Sequence, residues 1–331
     1  MTRPMRAIRI REFGDENALL LEEVARPDPD PTEVLIEVRA AAVNPFDAYV
    51  REGLVEPDDG LPHVLGGDAS GVVAAAGADV SAFEPGGRVF TTGLGLDRPG
   101  TYAEYVAVPD HRVAHLPASV GWFEGAAAAE TVTTGLQALA RGGLRLDDVC
   151  LIQGATGGVG HAAAQLAREA GAFVVGTCRA EATDDARRFG VDSAVDYRGD
   201  DLAERILEAS DGRPVDVVVE THAAANVATD IDVLADAGTV VVLGEDGPIT
   251  IEKPVAGSAK AKQADLAFVS HMRATAHHGE GLETAARLLG RGDVSAEVAA
   301  TYPLEEAGEA QRRCLDGGTV GKVVLDVSAD R

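Results

Sequence analysis

Residues 149–160 read Val-Cys-Leu-Ile-Gln-Gly-Ala-Thr-Gly-Gly-Val-Gly, and no other stretch narrows so far the folds open to this chain. The first four are apolar with no polar alternation, the pattern of a strand covered on both faces, as in a parallel sheet. Beyond the small residues, Ala162, Ala163, Ala164, Leu166, Ala167 and Ala170 fall at helical spacing. A second strand-like run, 172–176, follows. Strand, glycine turn, helix and strand together make a βαβ unit of the kind that binds a dinucleotide. Its glycines let the backbone approach a pyrophosphate, whose charge rests on the free N–H groups of the helix N-terminus. Against the G-x-G-x-x-G template the match is Ala155-x-Gly157-x-x-Gly160, with alanine in place of the first glycine.

Further apolar runs at 194–196, 215–220 and 239–243 continue a parallel sheet, with crossover helices expected at 186–190, 201–209 and 226–237. Upstream, Met5–Arg11 and Val34–Ala42 alternate like strands on either side of a proline- and acid-rich loop, 26–32. Asn44 is placed to cap a short helix with Pro45 at its first position, which sets Asn44, Asp47 and Tyr49 within one and a half turns. Short glycine-punctuated runs between 65 and 109 describe a small irregular β-barrel. A helix is expected from Trp122 to Arg141. From about Lys262 to Gly290 the composition is that of helix and connecting loop, after which the chain returns to the first domain.

The charge excludes several partners. There are 54 Asp and Glu against 29 Lys and Arg, a formal net charge of −25, and lysine occurs only at 253, 260, 262 and 322. Nucleic acid needs a basic surface, so it is not an expected partner. Self-repulsion of this size is screened by salt, and stability is expected to fall as salt is removed. No run approaches the roughly 20 apolar residues of a membrane span. Residues 1–11 alternate charged with apolar side chains, so neither a signal nor a transit peptide is expected, and the location expected is cytoplasmic. Cys150, Cys178 and Cys314 lie far apart with no C-x-x-C pair, which excludes a disulfide framework and a four-cysteine zinc site. The histidines show no H-E-x-x-H pattern, and the adjacent His277 and His278 are expected in a solvated loop.

Several ordered motifs carry a family resemblance: Asn-x-x-Asp-x-Tyr-x-Arg-x-Gly at 44–53, Gly-x-Asp-x-x-Gly-x-Val at 66–73, Gly-Thr-Tyr-Ala-Glu-Tyr at 100–105, the glycine loop at 155–160, Tyr-Pro-Leu-Glu-Glu-Ala at 302–307 and Gly-Lys-Val-Val-Leu at 321–325. Together they resemble the medium-chain dehydrogenase/reductase superfamily, in its zinc-independent quinone oxidoreductase branch, from about Met5 to Val327. The composition resembles that of haloarchaeal proteins. The resemblance implies an α/β chain with a GroES-like irregular β-barrel catalytic domain, 1–124 and 266–331, and a Rossmann domain with a doubly wound parallel sheet, 125–265. Zinc-dependent relatives carry Cys where Asn44 stands and Gly-His-Glu where Gly66-Gly67-Asp68 stands, so no catalytic metal is expected. Homodimers through the cofactor-domain sheet are common in the family.

NAD-specific units place an acid at the end of the second strand to bind the ribose 2′-OH. Here that end reads Gly176-Thr177-Cys178-Arg179, with no acid until Glu181. An arginine there pairs with a 2′-phosphate, and NADPH is the expected cofactor. The resemblance adds Tyr197 on the 2′-phosphate, Thr133 and Gly244 beside the nicotinamide, and Ala155, Thr156, Gly157, Gly158, Val159 and Gly160 as the phosphate loop. Ala182 departs from it, standing near where the branch often has a lysine. The implied reaction is hydride transfer to a quinone, or to the β-carbon of an α,β-unsaturated carbonyl as in an enoyl or enone reductase. Without a Lewis acid, charge developing on oxygen needs hydrogen-bond donors or a proton source. The family positions supply Tyr49 and the amide of Asn44. Other roles stay open: packing or substrate positioning for Tyr49, a helix cap for Asn44, helix packing for Thr133. Asp47 and Asp68 read as structural and Arg51 as a surface cation. A further alternative is a non-catalytic NADPH-binding accessory protein.

Overall fold

In a computed structural model that describes residues 3–245, 247–273 and 277–328, β1 (Pro4–Ile10) pairs antiparallel with β2 (Leu20–Ala25). The charged pair Glu22 and Glu23 had hidden β2 in the sequence. The long β3 (Glu33–Val43) leads directly into α1 (Pro45–Glu52), where Pro45 occupies a position whose N–H has no helical partner to lose. Then come β4 (His63–Val64), β5 (Asp68–Ala76), β6 (Arg88–Thr91), β7 (Tyr105–Pro109), β8 (Val113–His115) and the helix α2 (Trp122–Gly142).

The next stretch alternates strands and helices: β9 (Val149–Ile152), α3 (Gly158–Glu169), β10 (Phe173–Cys178), α4 (Thr183–Arg188), β11 (Ser193–Asp196), α5 (Leu202–Ala209), β12 (Val215–Glu220), α6 (Ala223–Val233), β13 (Leu234–Val242), α7 (Lys253–Lys262) and β14 (Asp265–Phe268). All pair in parallel, in the order β11-β10-β9-β12-β13-β14. That is the doubly wound order, with its reversal between β9 and β12. All four β9 residues are buried, each large side chain contributing about 1.5–3 kcal/mol. The expected helix 226–237 ends early: Leu234 pairs with Val215 and opens β13, which bends at Ala237, φ 59°.

The chain returns through α8 (His278–Arg291), β15 (Val298–Pro303), α9 (Ala307–Leu315) and β16 (Lys322–Asp326). These join the early strands in a seven-stranded sheet ordered β15-β16-β3-β5-β6-β8, with β7 also on β3. A three-stranded sheet, β2-β1-β4, belongs to the same unit. One unit thus comprises the residues up to Thr133 and those from His271 onward, and the other runs from Thr134 to Ser270. These crossings lie later than 124/125 and 265/266. The first falls inside α2, and β14 is tied to β13 by the register Thr239↔Asp265 to Val242↔Phe268. Four residues, of which only Ala267 is buried, offered too little pattern for β14 to be read as a strand.

Candidate active site

In the second unit the chain leaves β9 at Gln153 and turns at Gly154, φ 70°, a left-handed conformation that strains any L side chain. The turn glycine is therefore Gly154, one position before Ala155, where the template had put it. Ala155 is fully buried, and a Cβ on Gly176 would come within 2.7 Å of its methyl group. Gly157 precedes the first turn of α3. A Cβ on Gly160 would lie 2.1 Å from the Gly154 carbonyl oxygen, so the helix can approach the turn only because residue 160 has no side chain. The loop runs through Thr156 to Gly157, and Gly158 and Val159 open α3 with first-turn amides that have no intrahelical acceptor. A bare-backbone cradle at a helix N-terminus, beside the reversal point of the sheet, fits a pyrophosphate.

Cys178 and Asp196 are paired residues at the ends of β10 and β11, so Arg179 and Tyr197 emerge side by side at the carboxyl edge. Tyr197 N–H donates to the Cys178 carbonyl at 3.1 Å, and its side chain is exposed. Glu181, the first acid past β10, is bridged by Arg198 at 2.9 Å, and Arg198 also meets Asp196 at 3.1 Å. A hydrogen bond from its own backbone N–H, and then the one from Arg198, hold Glu181 below the usual carboxylate range, and the bond from Arg198 does the same for Asp196. Arg198 escaped notice in the sequence although it adjoins Tyr197. Gly244 follows β13, where a Cβ would meet the Thr221 carbonyl oxygen at 2.6 Å.

In the first unit, Asn44 joins β3 to α1. Its backbone N–H donates to Asp47 Oδ2 at 2.9 Å. Its side-chain amide is turned elsewhere: Nδ2 donates to Asp68 Oδ2 at 2.6 Å, and Oδ1 accepts from Lys322 Nζ, which also donates to the Val43 carbonyl at 2.7 Å. Tyr102 donates to Asp47 Oδ2 at 2.7 Å, and Thr92 to Asp68 Oδ1 at 2.6 Å. Burial pushes Asp47 up to about 7. Burial and then the charge of Glu130 push Asp68 up to about 8, and burial raises Glu130 as well. Lys322 is the cation of this buried acid cluster. Tyr49 is half-buried on α1.

These residues do not fit zinc. Gly67 offers no donor side chain, both ends of the Asn44 amide are engaged, and an ammonium already lies on Asn44. Among the described residues no three His, Cys, Asp or Glu side chains are grouped to hold an ion.

Two expectations are corrected. Arg51 is no surface cation: it is 2% exposed and binds Gln311 Oε1 at 2.7 Å and the Gly14 carbonyl at 3.1 Å. His278 is not solvated: it is fully buried and stacks on His271 with ring centroids 4.4 Å apart. Thr133 donates its hydroxyl to carbonyls of its own helix, Ala129 at 2.6 Å and Glu130 at 3.0 Å. Thr133 therefore contributes to the packing of α2 against α8, where a Cβ on Gly281 would lie 3.1 Å from its methyl group. Sequence reasoning missed Lys322 as a site residue; a rare lysine within an apolar run was the available signal.

Residues 30–118 match the family model for the alcohol dehydrogenase GroES-like domain, and residues 189–325 that for zinc-binding dehydrogenases. The quinone oxidoreductase of Lama guanicoe is 33% identical over 98% of both chains, and that of Homo sapiens 32% over 97% of both. Among solved structures, an NAD-dependent alcohol dehydrogenase superposes with a TM-score of 0.89 at 30% identity, covering 98% of this chain and 100% of that one. The Escherichia coli quinone oxidoreductase complexed with NADPH does so with a TM-score of 0.87 at 27% identity, covering 97% and 99%.

Proposed function

This chain belongs to the medium-chain dehydrogenase/reductase superfamily, in its quinone oxidoreductase branch, and we propose that it is a zinc-independent, NADPH-dependent reductase that passes a hydride to a quinone or a similar electron-poor acceptor. The observation that carries this reading is the phosphate loop from Gly154 to Gly160 at the reversal point of the parallel sheet. Ala155, Thr156, Gly157, Gly158, Val159 and Gly160 would hold the pyrophosphate, Arg179 and Tyr197 the 2′-phosphate, and Gly244 and Thr133 the nicotinamide end. When bound, the reduced nicotinamide supplies the hydride.

The rest falls to this chain's own side chains. Asn44 spends Oδ1 on Lys322 and one Nδ2–H on Asp68, which leaves one N–H to donate to an acceptor oxygen. That donor is fixed before substrate arrives, so charge developing on oxygen meets it with little reorganisation. Tyr49 supplies a phenol as a second donor or proton source. Lys322 provides fixed positive charge at the Asn44 position, where a metal would compete with it, and this supports zinc independence. Among the described residues no helix is long and apolar enough to cross a membrane. A cytoplasmic homodimer completes the proposal.

The test is an NADPH-oxidation screen in molar KCl with quinones beside enones and enoyl-CoA esters, run against NADH. Quinone turnover with NADPH is the expected result. Turnover of enones alone would move the chain to the enone reductases, and NADPH binding without turnover of any acceptor would make it an accessory protein.

A further inference from the structure

Beneath the phosphate loop lie two acids that hydride transfer does not use. Glu220, the last residue of β12, and Asp230, in α6, are both 0% exposed. Asp230 Oδ1 accepts from Gln153 Nε2 at 2.7 Å, and Gln153 Oε1 accepts from Thr177 Oγ1 at 2.7 Å. Thr177 Oγ1 in turn accepts from the Gly154 N–H at 3.1 Å, while the Thr177 carbonyl takes the Ala155 N–H at 2.8 Å. An unbroken line of hydrogen bonds therefore runs from Asp230 to the turn glycine of the loop. The threonine hydroxyl gives its single proton to Gln153 and can only accept from Gly154, and an amide so oriented presents its NH2 to Asp230.

On the other side, Glu220 Oε1 accepts from the His222 backbone N–H and from Asn226 Nδ2. Glu220 Oε2 and Asp230 Oδ2 are both buried without a hydrogen-bond partner, and the two acids lie close enough for the charge of Glu220 to act on Asp230. Ionised carboxylates only accept, so neither oxygen can satisfy the other while both acids are charged, and this favours a proton on Asp230. Burial, then the charge of Glu220, holds Asp230 well above the usual carboxylate range, against the opposing bond from Gln153. Lys262 of α7 ends on the carbonyls of Ile231 and Asp232, so it leaves the pair uncompensated.

The geometry points to Asp230 as a positioning residue for the dinucleotide: it orients Gln153, and through Thr177 it holds the phosphate loop in the shape that receives a pyrophosphate. This rests on the NADPH reading above. Loss of a proton from Asp230 sets its charge beside Glu220 in the interior and slackens the loop, so NADPH affinity falls on the alkaline side. Asn at 230 offers an oxygen to Gln153 and an N–H to Glu220 without titrating.

The experiment is fluorescence titration of the full chain with NADPH between pH 6 and 9.5 in molar KCl, alongside urea unfolding without NADPH. Asp230→Ala and Gln153→Leu are expected to weaken NADPH binding about tenfold at pH 7, the cost of an unsatisfied buried group. Asp230→Asn is expected to restore affinity and to remove the alkaline fall seen in the wild type. Variants that unfold more easily yet bind NADPH like the wild type at every pH would overturn the inference, as would a wild-type affinity flat with pH. A wild type that binds no NADPH at any pH sinks the cofactor reading and this inference together, whereas wild-type binding with unaltered variants sinks the inference alone.

Discussion

Lys322 Nζ is hydrogen-bonded to Asn44 Oδ1 across 278 positions of sequence. The pairing sets a cation from the last strand on the residue that joins β3 to α1, with Asp47, Asp68 and Glu130 close enough to act on one another and on the ammonium. Lys322→Met removes the charge and leaves the Asn44 and Val43 oxygens without their donor. Urea unfolding at fixed molar KCl is expected to show a loss of about 3 kcal/mol, as for one partner removed from a buried ionic group. An unchanged midpoint would show that the lysine is dispensable.

Asp47 and Asp68, pushed up to about 7 and about 8, titrate near 3.9 when unfolded. Between those values the folded chain binds more protons than the unfolded one. The stability they contribute is full below about pH 4 and is lost as pH rises towards 8. Asp68→Asn, which stays neutral, should flatten the fall of unfolding free energy across pH 5–8. Parallel curves for variant and wild type would refute the assignment.

Arg179 at the edge of β10 is the proposed partner of a 2′-phosphate. Replacing it with Glu exchanges a charge-assisted contact for repulsion. Steady-state kinetics should show KM for NADPH rising about tenfold with NADH little changed. An equal rise for both cofactors would remove Arg179 from the 2′-phosphate site.

Tyr49→Phe separates proton donation from positioning. Reduced quinones can take their proton from water, so quinone turnover should survive. Enone turnover should drop by about 10²-fold or more if the phenol is the proton source. Equal losses on both acceptors would assign Tyr49 to positioning.

The formal charge of −25 is screened over about 3 Å in molar salt and over tens of ångströms in dilute buffer. The melting temperature is therefore expected to fall when KCl drops from molar to millimolar. A constant value would reject adaptation to salt.

The parallel sheet, its glycine loop and the Asn44–Pro45 helix start were legible in the residues, because each depends on local spacing: four apolar residues, small side chains, a proline at the first helical position. Tertiary structure decided what local spacing could not carry. The turn glycine became Gly154 because packing fixed Ala155 against Gly176. Arg51 went inside because Gln311, far along the chain, binds it, His278 because it packs on His271 and against Gly93, and β14 became a strand only by pairing with β13. The acid cluster around Asn44 shows the same division. Its residue types are plain in the sequence, but the ionisation of a carboxyl depends on burial and on which charge lies beside it. Residues 44, 68, 130 and 322 meet only once the sheet has closed.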